Sequence, residues 1–157
     1  MISPTRQLVV FRLDNCRYAL PLAVVDHLVR AVEVTPLPNA PAIVLGAIDV
    51  HGRVLPLLNV RRRFQLPERE ISPADWFLLA HTERRAVALV VDESEGVVES
   101  ADDDIAALPQ IVPGLDAFPG VVGLEGGLVL IHDLEQFLSL DDARALDEAL
   151  AGPFLPT

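Results

Sequence analysis

The chain has 157 residues, of which 51% are hydrophobic and 22% are charged, and its formal net charge is −11. It is long and apolar enough to bury a core, and this composition excludes wholesale disorder. Because so acidic a chain repels phosphate backbones and anionic lipid surfaces, nucleic acid is not expected as a partner. Its apolar runs are far shorter than the roughly 20 residues of a membrane-spanning helix, so direct membrane insertion is not expected either.

Taken in chain order, short apolar runs separated by turn residues predict strands. These runs cover residues 8–11, 18–20, 54–58, 76–80, 86–91 and 128–131. A short helical turn is expected within residues 22–29 and another after Asp133. At the end of the chain, Asp141 is a candidate N-cap for a helix over about residues 141–151, whose alanine-rich face favours packing on the second half. The sequence therefore predicts an all-β fold with a C-terminal helix.

An internal repeat relates the two halves of the chain. Residues 9–29 align with residues 77–97 at an offset of 68, and residues 46–60 align with residues 120–134 at an offset of 74. The difference places a six-residue insertion near the acidic stretch at 102–104. Each half offers about five short strands, enough for a small barrel that hides its edges.

The repeat predicts a pseudo-symmetric pair of five-stranded barrels within one domain over residues 1–157. We place the first subdomain at about residues 8–64 and the second at about residues 76–137. The crossover between them is predicted at residues 65–75.

The side chains that carry catalysis or bind metals are scattered along the sequence. The four histidines, His27, His51, His81 and His132, show no metal-ligand spacing. The acidic stretch at 102–104 lacks the spacing and the glycine of a calcium loop. We therefore expect no enzyme, no cofactor and no bound metal. The lone Cys16 and the absence of a signal-peptide pattern predict a cytoplasmic location.

Two segments are candidate binding surfaces, and each has a second interpretation. Residues 31–45 are rich in proline yet apolar, which suits either a preorganised docking segment or a packed connection that covers one barrel. The basic run Arg61–Arg63 suits either a solvated strand end or a docking point for an acidic partner.

Several motifs, taken in their order, resemble the CheW family of chemotaxis coupling proteins. The central motif runs from Val34 to Phe64 and reads VTPLPNAPAIVLGAIDVHGRVLPLLNVRRRF. The supporting motifs are VALVVD at 87–92, GVV at 96–98, GVVGL at 120–124 and LIHDL at 130–134. The resemblance extends from about Leu8 to Phe137, nearly the whole chain.

This resemblance implies two SH3-like five-stranded barrels and a non-enzymatic adaptor. Proteins of the family bridge the regulatory domain of a CheA-type histidine kinase to the cytoplasmic tip of chemoreceptors, so the chain is expected to be recruited to membrane-associated receptor arrays. The partner-binding residues that the resemblance implies are His27, Arg30, Asn39, Ile43, Val44, Asp49, His51, Arg53 and Asn59.

The chain departs from the family pattern at positions that bear on its partners. It has Asp49-Val50-His51-Gly52 where the family commonly reads Asn-Leu-Arg-Gly, His27 in place of an acidic residue, and Asn59 in place of an aspartate. An adaptor of a specialised two-component system outside chemotaxis is therefore an alternative. Two others are a barrel pair that binds extended peptides and a small enzyme with Asp or His in a cleft between the barrels.

Overall fold

Most of the described chain is β-structure. The computed structural model describes residues 5–101, 104–106, 120–138 and 140–151. The strands are β1 (Thr5–Leu13), β2 (Cys16–Pro21), β3 (Val25–Arg30), β4 (Val44–Val50), β5 (Arg53–Leu58), β6 (Trp76–His81), β7 (Ala86–Val91), β8 (Glu93–Ala101), β9 (Ile105–Ala106), β10 (Gly120–Leu124) and β11 (Gly127–Ile131). Helix α1 (Val60–Arg63) follows β5, and helix α2 (Leu140–Leu150) comes after β11. The predicted class, mainly β with a C-terminal helix, is confirmed.

The described strands form two sheets that share one internal order. The sheet centred on β1 (the β1 sheet) runs β8-β1-β2-β11-β10-β9, and the sheet centred on β6 (the β6 sheet) runs β3-β6-β7-β5-β4. By the sequence repeat, β1 to β5 correspond to β6, β7, β8, β10 and β11. If each strand is replaced by its counterpart, the strand order of one sheet becomes that of the other, apart from β9, which has no counterpart strand. The parallel pairs are also equivalent: β11 pairs with β2 in one sheet, and β5 pairs with β7 in the other. The repeat is therefore a property of the fold.

Each sheet combines strands from both halves of the chain. The β1 sheet contains β1 and β2 of the first half and β8 to β11 of the second, whereas the β6 sheet contains β3 to β5 and β6 to β7. The chain passes from one sheet to the other through the 3-10 turn Leu22–Val24 after β2, and through Asp92 after β7. The predicted subdomain boundaries, 8–64 and 76–137, consequently do not separate the two sheets.

The prediction of closed barrels is wrong for the described residues, although each sheet curls around its own core. In the β6 sheet, Val29 of edge strand β3 and Val50 of edge strand β4 pack against one buried cluster that includes Ile48 and Phe77. The two edge strands are not ladder partners in the described chain. The outer edge of β4 is instead occupied by Thr35, which bridges to Ala47, and β9 occupies the corresponding edge of β10.

A third apolar core lies between the two sheets. On β1, Leu8 and Val10 face the interior of their own sheet, whereas Val9 and Phe11 enter the shared core. Because side chains alternate between the two faces of a strand, a central strand that is buried on both faces needs apolar residues at every position. Such a strand is seen in the sequence as a continuous apolar run. Each fully buried side chain of this kind stabilises the fold by roughly 1.5–3 kcal/mol.

Helix α2 packs on the shared core, as its apolar face predicts. Leu146 is fully buried there, and Ala149 joins the same cluster. The helix begins at Leu140, so Asp141 lies inside its first turn and not at the predicted cap. No helix in the described part of the chain is long and apolar enough to cross a membrane.

Two further predictions concern local segments. The helical turn expected within 22–29 is limited to Leu22–Val24, because Val25–Arg30 pairs with β6 as strand β3. The turn expected after Asp133 is present at Leu134–Gln136. The six-residue insertion falls on a region in which residues 102–103 and 107–119 lie outside the described residues.

Candidate partner-binding site

The β4–β5 hairpin presents three of the predicted partner-binding residues. His51 and Gly52 form its two-residue turn, with φ of 53° and 85°, the backbone of a type I′ hairpin. Asp49 Oδ1 accepts a hydrogen bond from the Gly52 N–H at 2.9 Å, which fixes the turn. His51 and Arg53 are exposed beside Asp49, and Val54, paired across from Asp49, is 40% exposed. The hairpin thus carries charged, imidazole and apolar groups on one exposed loop.

Strand β3 presents two more of the predicted residues on an edge. His27 and Arg30 are exposed, and Leu28 between them is 38% exposed. The Arg30 guanidinium carbon lies 4.2 Å from the centre of the Trp76 ring, a cation–π contact that orders the arginine on the surface. A register shift between Val25 and His27 interrupts the pairing with β6 at the start of the strand.

The hairpin and β3 lie at opposite edges of the same sheet. Three strands separate β3 from β4 in the strand order, but both edges curl towards a common core. The structure therefore places His27 and Arg30 on one rim of the β6 sheet, and Asp49, His51 and Arg53 on the other.

The segment 31–45 is mainly a packed connection. Leu37 and Ile43 are buried in the shared core, and the backbones of Thr35 and Ala47 exchange hydrogen bonds of 2.9 and 2.8 Å. Asn39 sits in an exposed turn with φ of 64°. Ile43 and Val44, predicted to contact a partner, are buried in this core, so the structure removes both from the surface.

Asn59 has a structural role within the chain. It caps α1, its Oδ1 accepting from the Arg62 N–H at 3.1 Å, and its Nδ2 donates to Glu68 Oε1 at 2.6 Å. Only 8% of the residue is exposed. Both of its side-chain polar atoms are therefore engaged within its own chain, and partner contact at Asn59 stays a prediction.

An ionic cluster around Arg61 was not predicted. Arg61 Nη2 donates to both oxygens of Asp92 at 2.8 Å, and its Nη1 donates to Asp14 Oδ2 at 2.9 Å. Arg69 Nη2 binds Asp92 Oδ1 and Asp75 Oδ1, each at 2.6 Å. Burial alone would raise the pKa of Asp92, but the hydrogen bonds that it receives outweigh burial and hold the pKa below its ordinary value. Neither interpretation of the basic run applies to Arg61, whose side chain is 8% exposed.

The other candidates for chemistry are the histidines, the cysteine and the acidic residues. Among the residues that the structure describes, no group of three or more His, Cys, Asp or Glu could hold a metal ion. His132 is buried against the rings of Phe64 and Phe137, with centroids 4.8 and 5.5 Å away. Burial, with a smaller contribution from Arg63, lowers the pKa of His132 to about 3, so the imidazole is neutral in the fold. Its position identifies it as a core residue.

Comparisons with known proteins identify the same family as the sequence motifs. A family model described as CheW-like domain matches residues 7–148. The chain is 26% identical over 146 residues to chemotaxis protein CheW of Treponema pallidum (strain Nichols), covering 89% of this chain and 86% of that protein. It is 28% identical over 142 residues to chemotaxis protein CheW of Rhizobium meliloti (strain 1021), covering 89% and 92%.

A solved structure shares the fold. The crystal structure of the scaffolding protein TtCheW from Thermoanaerobacter tengcongensis superposes with a TM-score of 0.79 and 22% sequence identity, covering 88% of this chain and 96% of that chain. The family model spans nearly the whole two-sheet fold described above. The chain therefore belongs to the CheW-like family of chemotaxis adaptor proteins.

Proposed function

We propose that this chain is a non-enzymatic adaptor that joins the regulatory domain of a CheA-type histidine kinase to the cytoplasmic tip of a chemoreceptor. Its relatives are named chemotaxis proteins, and the solved structure that resembles it is titled a scaffolding protein. In this proposal the two curled sheets correspond to the SH3-like units expected for the family, and the chain works in the cytoplasm at receptor arrays.

The observation that carries the proposal is that both edges of the β6 sheet expose polar and charged side chains. One edge carries the Arg30 guanidinium, ordered on Trp76, and the opposite edge carries the hairpin that bears His51 and Arg53. We define the kinase-facing surface by the predicted residues that the structure leaves exposed: His27, Arg30, Asn39, Asp49, His51 and Arg53. Ordered arginines beside aromatic rings are common anchors of protein interfaces.

An adaptor needs a second surface so that both partners bind at once. Edge strand β8 of the other sheet carries Val97, which is 53% exposed. It lies between Glu95, whose carboxylate binds Arg17 at 2.9 Å, and the exposed Glu99. We define Glu95, Val97 and Glu99 as the receptor-facing surface. An apolar side chain at an exposed strand edge suits docking against an apolar stripe on a helical tip.

Calorimetric titration of the kinase regulatory domain from the same cell tests the kinase-facing surface. Arg30→Ala should weaken binding about tenfold, because it removes a charged anchor and uncovers Trp76. Arg144→Ala, an exposed arginine on α2, is the matched control and should leave the affinity unchanged. No binding by the native chain would refute the proposal for that kinase, and capture of a linear peptide instead would favour the peptide-binding alternative.

The receptor-facing surface is tested in the same way. Val97→Glu should weaken binding of a soluble receptor-tip fragment about tenfold and leave kinase binding unchanged, because it places a charge in an apolar contact. If receptor binding is unaffected while kinase binding is lost, the two surfaces have been assigned to the wrong partners.

A further inference from the structure

The ionic cluster around Arg61 joins the two sheets at one end of the shared core. Arg61 follows β5 of the β6 sheet, whereas its partner Asp14 lies in the β1–β2 turn of the β1 sheet. Its second partner, Asp92, lies where the chain passes from β7 of one sheet to β8 of the other. One buried guanidinium therefore contacts both sheets and the corner between them.

The shared apolar core holds the sheets together, but the hydrophobic effect by itself selects no angle between them. Apolar burial is proportional to area and has no preferred direction. The planar Arg61 guanidinium binds Asp92 through Nη2 and Asp14 through Nη1, and its fixed donor directions restrict where the two carboxylates lie relative to each other. Buried ion pairs often add little net stability, whereas in some proteins they restrict the chain to one arrangement. The cluster is therefore suited to set orientation more than cohesion.

The opposite end of the shared core has a weaker directional contact. Glu135 occupies the repeat position of Arg61, and its Oε2 accepts a hydrogen bond from the Glu83 N–H in the β6–β7 turn at 3.0 Å. Both residues are exposed. A cavity of about 110 Å³ adjoins this contact, with Leu58, Val87 and Phe137 among its walls. The ion pair of Arg85 with Asp147 at this end joins the β6–β7 turn to α2 and not to the β1 sheet, so the Arg61 cluster is the stronger directional link between the sheets.

We infer that Arg61 is a positioning residue that fixes the angle between the two sheets, and with it the relative orientation of the kinase-facing and receptor-facing surfaces. The part of this inference that concerns partners rests on the proposed function. The part that concerns the sheets does not depend on any partner.

Pulsed electron paramagnetic resonance on the chain alone tests the angle between the sheets through the distance between two spin labels. Nitroxide labels are placed at Val54→Cys and Leu128→Cys, exposed positions on the β4–β5 and β10–β11 hairpins, in a Cys16→Ser background. We expect one narrow distance distribution that broadens or shifts in Arg61→Met. Arg62→Met is the matched control, because the neighbouring Arg62 is 51% exposed and only approaches Glu68 at 3.6 Å.

A milder variant guards against loss of the fold. Asp14→Asn removes only the carboxylate on the β1 sheet, whose side chain is 42% exposed, and should broaden the distribution with an unchanged circular dichroism spectrum. If Arg61→Met and Asp14→Asn, both folded, give the native distribution, Arg61 does not fix the angle. If Arg61→Met fails to fold, Asp14→Asn alone decides.

A binding readout separates positioning from partner contact. In Asp14→Asn the affinity for each isolated partner should stay within about twofold, whereas the affinity of the kinase domain for the receptor-loaded adaptor should fall about fivefold, at the low end of measured coupling effects. A native affinity in the loaded state would overturn the partner part of the inference. If the native chain binds neither partner, the proposed function fails, while the distance measurement still decides the role of Arg61.

Discussion

Asn59 illustrates how the partners of one side chain determine which residue its position accepts. Its oxygen caps α1 and its amide donates to Glu68. An aspartate, which the family pattern has at this position, would cap the helix equally well but would bring a carboxylate against Glu68. This departure from the pattern is therefore explained within the chain, without reference to a partner.

The Asn59→Asp variant tests this explanation. We expect it to lower the free energy of unfolding at pH 7 by about 1 kcal/mol, because a hydrogen bond is replaced by repulsion between two carboxylates. The double variant Asn59→Asp, Glu68→Gln should recover most of the loss. Urea unfolding provides the measurement, and a single variant as stable as the native chain would contradict the explanation.

His132 makes folding stability sensitive to acid. Burial lowers the pKa of His132 in the fold to about 3 from the ordinary imidazole value of 6.5, so below pH 6.5 the unfolded chain binds a proton that the folded chain does not. Stability is therefore lost as the pH falls from about 6.5 towards 3, at up to about 1.4 kcal/mol per pH unit.

Replacement of His132 should remove this part of the acid sensitivity. Between pH 7 and pH 5, His132→Leu should lose about 2 kcal/mol less stability than the native chain. The carboxylates are common to both proteins, so their contribution cancels in the comparison. The control is His27→Leu, a replacement of an exposed histidine. A pH profile of His132→Leu identical to that of the native chain would contradict the neutral buried imidazole.

For individual residues, the sequence predicted which side chains are exposed better than which are buried. The turn pattern around Gly52 placed His51 and Arg53 on a hairpin, because a two-residue turn depends on adjacent residues alone. The burial of Arg61 depends on Asp14 and Asp92, which lie 47 and 31 residues away, so no local pattern could indicate it. The same limit applies to Ile43 and Val44, whose apolar character suits a core and an interface equally.

At the scale of the elements, Gly46 and Gly120 occupy equivalent positions in the repeat. The missing side chain of each allows a further segment to lie against the edge of its strand. A Cβ at Gly46 would meet the Thr35 carbonyl oxygen at 2.5 Å, and one at the equivalent Gly120 would meet Ile105 of β9 at 2.7 Å. These contacts relate the Thr35 bridge to β9 as equivalent segments, although one is a single bridge and the other a short strand.

Gly46→Ala should therefore destabilise the fold. We expect a loss of about 1–3 kcal/mol, because the Thr35 backbone would have to move away from β4. Gly123→Ala is the matched strand glycine, where the nearest atom to a Cβ is 3.9 Å away, and it should change stability far less. Thermal unfolding of both variants provides the measurement, and equal effects would contradict the close approach.

Helix α2 should contribute to the stability of the whole fold. Leu146→Ala empties a fully buried site in the shared core and should cost about 2–5 kcal/mol. Glu148→Ala, on the exposed side of the same helix, should stay within about 0.5 kcal/mol. If Leu146→Ala unfolds at the native denaturant midpoint, α2 is not packed on this core.

The sequence predicted the order of the strands along the chain but not which strands pair in each sheet. Apolar runs and turn glycines repeat along the chain, and equivalent runs became equivalent strands. The exchange of strands between the halves left no local signal, because β1 and β2 could have paired with either copy of β4 and β5 by apolar pattern alone. The edge positions of Thr35 and β9 were missed for the same reason.

At the scale of the whole molecule, two curled sheets and their shared core bring two separate surfaces together in one small chain. The proposed kinase-facing surface lies mainly on the β6 sheet and the proposed receptor-facing surface lies on the β1 sheet, so both are exposed in the same structure. The central claim is that the chain holds both partners at once.

The most direct test is light scattering on a sizing column with the chain, the kinase regulatory domain and the receptor-tip fragment together. The account predicts a species whose mass is the sum of all three, and its loss in Val97→Glu with the chain–kinase complex retained. Elution as two mutually exclusive binary complexes, with no ternary species at any concentration, would contradict it.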